Sequence, residues 1–191
     1  MAVKGSRTTS DYIPWDEMNL LLRKLEHDKR FMLLTLIAVG SYTGLRISDI
    51  LRLTWKSFNG NYIELREYKT KKYRRIKIHK ALRRVIERIK SCIQPECDNP
   101  IIFNRKRNKV FSIQYINRRL KEIKEEYSLL LSNFSTHSFR KTFGRRVWSQ
   151  AGYSEKSLIL LSFVFNHSDT KVTRRYLGIT DEEIEAVYDT L

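Results

Sequence analysis

A mainly α-helical domain with a small antiparallel β-sheet (α+β) is the fold class this 191-residue sequence predicts, and three observations predict it. Apolar residues recur at helical spacing through most of the chain. Strict alternation is confined to two short runs, Tyr62 to Arg66 and Arg75 to Ile78, on either side of a polar connection. No repeat or low-complexity linker divides the sequence, and its length suits one domain with at most a small appendage. Hydrophobic residues at 41% and aromatics at 12% supply a core that needs no disulfide framework.

The elements follow in order. Glu17 to Glu26 sets Met18, Leu21, Leu22 and Leu25 on one helical face, with Pro14 near the start. Phe31 to Ser41 is apolar nearly all round and reads as a buried helix. Gly44 permits a sharp turn before a helix over Leu45 to Leu53. The two alternating runs, joined by Tyr68-Lys69-Thr70-Lys71-Lys72, form a hairpin. A basic amphipathic helix then turns Leu82, Val85, Ile86 and Ile89 inward. Pro95 to Pro100 breaks the chain before a short strand at Ile101 to Phe103. Ser112 caps a helix to about Tyr127, Thr136 caps one ending near Gly152, and Ser154 starts another. Helical patterns around Lys171 to Leu177 and Asp181 to Leu191 close the chain.

Charge narrows the function. The chain holds 37 basic and 21 acidic side chains, a net charge of +16. Such an excess opposes compaction and points to a polyanionic partner. It is unevenly placed: residues 66–90 carry a net +10, residues 105–124 a net +7, and the last 11 residues a net −5. Two basic segments suited to a phosphate backbone, and an acidic tail repelled by it, favour nucleic acid over a solvated charged surface. A membrane span is excluded, because the longest apolar stretches, Phe31 to Val39 and Leu158 to Phe165, are about half of the ~20 residues required. The chain opens on no secretory signal, Cys92 and Cys97 read as reduced thiols, and a cytoplasmic protein is expected.

No P-loop and no H-E-x-x-H are present, and paired acids for two-metal chemistry are thin, the best cluster lying in the C-terminal tail, so phosphoryl chemistry here would use cationic side chains. His137-Ser-Phe-Arg140 puts an imidazole and a guanidinium on one face of a helix's first turns. Taken alone, that pair reads equally as a helix cap with a surface arginine. Arg46 follows the Gly44 turn, His167 stands at a helix junction, and Tyr176 follows two arginines.

In this order the pieces resemble the catalytic domain of the tyrosine recombinase (phage integrase) family, from roughly Tyr12 to Leu177. The first box matches Thr43-Gly44-Leu45-Arg46-Ile47-Ser48-Asp49, and the family's hairpin lysine matches Lys69. The second box is His137-Ser138-Phe139-Arg140-Lys141-Thr142-Phe143, and the third is Phe165-Asn166-His167-Ser168-Asp169. Asn166 replaces the usual glycine and tolerates the left-handed conformation. Tyr176 follows His167 by nine residues.

The resemblance implies a site-specific recombinase that cleaves and rejoins DNA through a 3′-phosphotyrosyl intermediate, with no metal and no nucleotide cofactor. Tyr176 would be the nucleophile, Arg46, Arg140 and His167 the phosphate ligands, His137 the proton acceptor and Lys69 the general acid. Asp49 would support them. A strand reaching past Glu67 would aim Lys69 with the inward residues Ile63 and Leu65. Lys71, Lys72, Arg74, Arg75, Arg105, Lys106, Arg107, Lys109 and Arg118 are the candidate DNA contacts. A type IB topoisomerase-like enzyme, or a DNA-binding module without catalysis, stays open as an alternative. Residues 1–11 read as a leader or linker remnant, 12–180 as the catalytic domain and 181–191 as an acidic tail helix. The N-terminal core-binding domain of the family is expected to be absent. Ile184, Val187 and Leu191 put an apolar stripe on the tail; the resemblance implies that it docks on a neighbouring copy in a tetramer on DNA, and docking on its own domain is the alternative. Accessory DNA-bending proteins are the remaining partner class the resemblance implies.

Overall fold

A computed structural model describes residues 10–104, 106 and 108–178. Eight helices and two short β-hairpins are present among them. Helix α1 (Trp15–His27) buries Met18, Leu21, Leu22 and Leu25, the face its periodicity selects. Helix α2 (Phe31–Thr43) is buried nearly all round and forms the central rod. At Gly40 its backbone comes so close to a later helix that a Cβ there would lie 2.7 Å from the Phe139 Cβ. Gly44 ends α2 in the left-handed conformation, with φ 63° and ψ 19°.

The expected helix over Leu45 to Leu53 is cut to α3 (Ile47–Ile50). The chain leaves it through tight turns, Arg52 N–H to the Asp49 carbonyl and Leu53 N–H to that of Ile50. Thr54 is extended and, with Ser57, caps a single 3₁₀ turn at Trp55–Phe58. That early exit lets Trp55 and Phe58 enter the core.

Strands β1 (Tyr62–Arg66) and β2 (Tyr73–Lys77) pair antiparallel, with Arg66 opposite Tyr73 as the last rung. Ile63 is fully buried and Glu67, just beyond the strand, is 1% exposed. Helix α4 (Lys80–Ile93) buries Leu82, Val85, Ile86 and Ile89 as its pattern requires. The short strand expected at Ile101 to Phe103 starts two residues later and ends one later: β3 (Phe103–Asn104) pairs with β4 (Lys109–Val110). Ile101 is held instead by a bond from its N–H to the Leu53 carbonyl. The antiparallel pairing is thus two separate hairpins.

Helix α5 (Ile113–Glu126) is capped by Ser112 and buries Ile116, Leu120 and Ile123. Helix α6 (Thr136–Gln150) is capped by Ser135, one residue before the expected Thr136, because Ser135 and Ser138 form a reciprocal capping box. Helix α7 (Glu155–Phe165) is capped by Ser154, and α8 (Thr170–Leu177) by Asp169. Ser10 and Asp11, placed before the domain by the sequence, already bond to residues 132–135. One large core unites α1 to α6, and a smaller one joins Leu158, Leu161, Phe165 and Leu177 to the outer side of α6. The seam between the two cores is where the boxes of the sequence meet.

Candidate active site

Two helix ends build the floor of the seam. The last carbonyls of a helix have no intrahelical donor and carry the negative end of its dipole. Gly44 at the end of α2 and Phe165 at the end of α7 present such carbonyls, and arginines satisfy both. Arg140, on the second turn of α6 and 3% exposed, donates from Nη1 to the Gly44 oxygen at 2.6 Å. Its Nη2 donates to the Phe165 oxygen at 2.8 Å, and its guanidinium lies 4.3 Å from the centroid of the Phe165 ring. Arg46, extended before α3, donates from Nη2 to the same Phe165 oxygen at 3.0 Å. One backbone oxygen therefore anchors both guanidinium groups. Burial lowers the Arg140 pKa to about 10, which leaves it charged at neutral pH.

The other face of the seam carries Tyr176 and His167. Tyr176, in the last turn of α8, stands edge-on to Phe165 and His167 with ring centroids 5.4 and 5.3 Å away. Its hydroxyl oxygen is buried with no geometric hydrogen-bond partner among the described residues. Burial pushes the phenol up to about 12, against the pull of Arg140 and Arg46. His167 lies between α7 and α8, with Nδ1 3.0 Å from the Thr173 hydroxyl. Burial, then the charges of Arg140 and Arg46, bring its pKa down to about 4, so the ring is neutral at neutral pH. The turn that delivers it uses Asn166 at φ 51°, the left-handed position expected of that residue.

His137 occupies the first turn of α6, one turn before Arg140, and is part-exposed. Burial against the protein on its inner side, then Arg140, Lys141 and Arg46, hold its pKa below the ordinary 6.5. Asp49 is fully buried in α3, and its Oδ1 accepts from the Tyr68 N–H at 2.7 Å. Lys69 is exposed in the turn between β1 and β2. The inward parity that would have aimed it stops at Glu67, because Glu67 N–H donates to Lys72 and Lys71 N–H to Glu67, which closes the turn.

The basic candidates divide. Arg74 is drawn inward, where its Nη1 meets Glu67 Oε1 at 3.0 Å. Lys72 Nζ donates to Asn166 Oδ1 at 2.6 Å and docks the hairpin on the end of α7. Lys71 covers the Tyr68 ring, Arg75 covers that of Tyr62 beside Glu64, and Arg118 lies over Tyr115 on α5. Lys106 and Lys109 are exposed, while Arg105 and Arg107 lie outside the described residues.

Sequence reasoning missed Glu67. Its Oε2 accepts from Arg46 Nη1 at 3.1 Å and from the Thr70 hydroxyl at 2.6 Å. Burial alone would raise its pKa, but the bonds from Thr70 and Arg74 and the charges of Arg46 and Arg74 bring it below 4.5. The signal was available: it is one of two acids in the basic run and shares the parity of buried Ile63. The Gly44 and Phe165 carbonyls had no sequence signal.

A profile described as the phage integrase family matches residues 12–183. A curated relative, the probable integrase/recombinase YoeC of Bacillus subtilis (strain 168), is 31% identical over 176 residues, 87% of this chain and 92% of that protein. Among solved structures, XerA recombinase superposes with a TM-score of 0.69 at 18% identity, over 94% of this chain and 64% of its own. XerH site-specific recombinase bound to palindromic difH substrate gives 0.70 at 17% identity, over 98% and 55%. A lambda integrase dimer bound to a COC′ core site gives 0.67 at 15%, over 93% and 50%. The chain thus spans half to just under two thirds of these solved proteins, and the likeness to them is one of fold. With the profile across its length and the kinship to YoeC, this chain belongs to the phage integrase family and has the catalytic-domain fold of the tyrosine recombinases.

Proposed function

We propose that this chain is the catalytic domain of a site-specific DNA recombinase that cleaves and rejoins strands through a 3′-phosphotyrosyl link at Tyr176. The observation that carries the reading is the meeting of Arg46, Arg140, His167 and Tyr176 at the end of α7. The Tyr176 oxygen bonds to the scissile phosphorus as the bond from phosphorus to the 5′-oxygen breaks. Arg46 and Arg140 neutralise the charge gathered on the non-bridging oxygens. His167 adds a hydrogen bond from Nε2 in the tautomer whose Nδ1 accepts from the Thr173 hydroxyl.

A phenol with a pKa of about 12 is protonated at neutral pH, so attack requires a base. His137 suits that role: it is neutral above its lowered pKa and accepts the tyrosine proton. Lys69 gives a proton to the departing 5′-oxygen. Bond energy is conserved in the tyrosyl ester, and no step draws on a metal or nucleotide. Asp49 holds the turn that carries Lys69.

Double-stranded DNA is the partner. The DNA carried by the XerH and lambda integrase complexes supports this, as does the basic hairpin beside the arginines. Self-association on DNA has support in α7, where Ile159, Leu160 and Phe163 are exposed, Phe163 at 76%. The apolar stripe that would cover such a face on a neighbouring copy is in the tail, which lies outside the described residues.

Trapping on a nicked suicide duplex tests the reading. Wild-type protein should form a covalent adduct, and Tyr176→Phe should bind the duplex equally and form none. Adduct formation by the Phe variant would refute the assignment. Supercoil relaxation without pairing of two sites would move the enzyme to topoisomerase-like chemistry.

A further inference from the structure

Glu67 is a negative charge placed one guanidinium away from the site of a bound phosphate, where charge alone would weaken DNA binding. It is 1% exposed, and a carboxylate so deep is stable only when its oxygens are paired. Both are. Oε2 holds Arg46 at 3.1 Å and Thr70 at 2.6 Å, and Oε1 holds Arg74 at 3.0 Å. With two guanidinium groups on one carboxylate the cluster keeps a net positive charge, so attraction for phosphate survives.

The same carboxylate closes the turn that bears Lys69. Thr70, the next residue, is tied back to the Glu67 side chain, while Lys71 N–H and the Glu67 N–H tie the main chain. Tyr68 N–H, on the other flank, is held by Asp49. Lys69 is the residue between these tethers, and the longest lever among them ends on Arg46.

Resting on the reading of Lys69 as general acid, we propose that Glu67 is a positioning residue that acts through Thr70. It fixes the Lys69 turn to the Arg46 guanidinium, so that the acid and the phosphate ligand keep one spacing. Arg74 is the second cation that keeps the Glu67 carboxylate from neutralising Arg46.

Thr70→Val deletes the hydroxyl and keeps the shape, and Thr70→Ser restores the hydroxyl. Single-turnover cleavage is measured on a nicked duplex with an ordinary 5′-bridging oxygen and on one with sulfur there, whose thiolate leaves without a proton. Rates are normalised to folded protein. Thr70→Val should cleave the oxygen strand about ten-fold or more slowly. It should recover on the sulfur strand, with unchanged DNA affinity, and Thr70→Ser should match wild type. Glu67→Gln should bind DNA as tightly or more tightly, yet cleave slowly and recover only in part on sulfur, because Arg46 is released as well. Wild-type rates in Thr70→Val, or an equal defect on both strands, would overturn the positioning role. Lys69→Ala is the control for the reading beneath it. If that variant does not recover on sulfur, the general-acid assignment fails and the proposal falls with it. If it recovers while Thr70→Val behaves as wild type, the tether alone is refuted.

Discussion

Adding one methyl group at Gly44 should damage both stability and cleavage. A Cβ built there lies 2.6 Å from Phe143 Cδ1 and 3.0 Å from its Cγ, inside any tolerable contact. The backbone is also left-handed at φ 63°, which costs a non-glycine residue roughly 1–2 kcal/mol. Displacing a packed ring costs about 1–3 kcal/mol more. Gly44→Ala should therefore lose about 2–5 kcal/mol, a fall in melting midpoint of roughly 4–20 °C for a chain of this length. Phe143 packs on Phe165 with centroids 6.1 Å apart, and the Gly44 carbonyl is itself an acceptor for Arg140. Cleavage per folded molecule should fall too. Gly60→Ala is the control: nothing lies within 4 Å of its added Cβ, and the change should stay within about ±0.5 kcal/mol. Urea unfolding and single-turnover trapping of both variants make the comparison. A Gly44→Ala protein as stable as the Gly60→Ala control would refute the argument from the left-handed turn and the Phe143 contact.

Three other outcomes are expected. DNA affinity, measured by anisotropy against salt, should fall with a slope of roughly one logarithmic unit per phosphate contact, and a flat response would mean that the basic segments do not track the backbone. His167 binds protons less readily folded, with a pKa of about 4, than unfolded near 6.5. The unfolded chain therefore gains the proton first as pH drops, so stability present above pH 6.5 is lost toward pH 4. Urea midpoints across that range should fall less in His167→Gln than in wild type. Deleting residues 181–191 should impair assembly on DNA, read by native gel, more than single-site cleavage; equal losses would mean that the tail docks on its own domain.

The helical faces were legible because burial and periodicity report the same thing. Leu82, Val85, Ile86 and Ile89 are spaced to be inward and are inward. Helix ends were legible where a side chain does the capping, as at Ser112 and Ser154, and slipped by a residue where Ser135 and Thr136 compete. Arg46, Arg140, His167 and Tyr176 were singled out by resemblance, and physics on the sequence alone had left each one ambiguous. Glu67 was lost because an acid in a basic run reads as charge balance until its partners across the fold are seen. The length of α3 was decided by Thr54 and Ser57 capping the next turn, a local competition that apolar spacing does not register.

The shared Phe165 oxygen has a consequence for how this protein tolerates change over evolutionary time. Side-chain acceptors are erased by substitution, whereas a main-chain oxygen persists whatever residue stands at that position. Codon changes at 44 and 165 would thus alter packing and conformation without removing either oxygen. What the arginines cannot survive is a change of phase. One residue inserted or deleted in the last turn of α7 would rotate the terminal carbonyl by about 100° and carry it away from both guanidinium groups at once. Drift in this lineage should accordingly be rich in replacements along α7 and poor in length variation at its end.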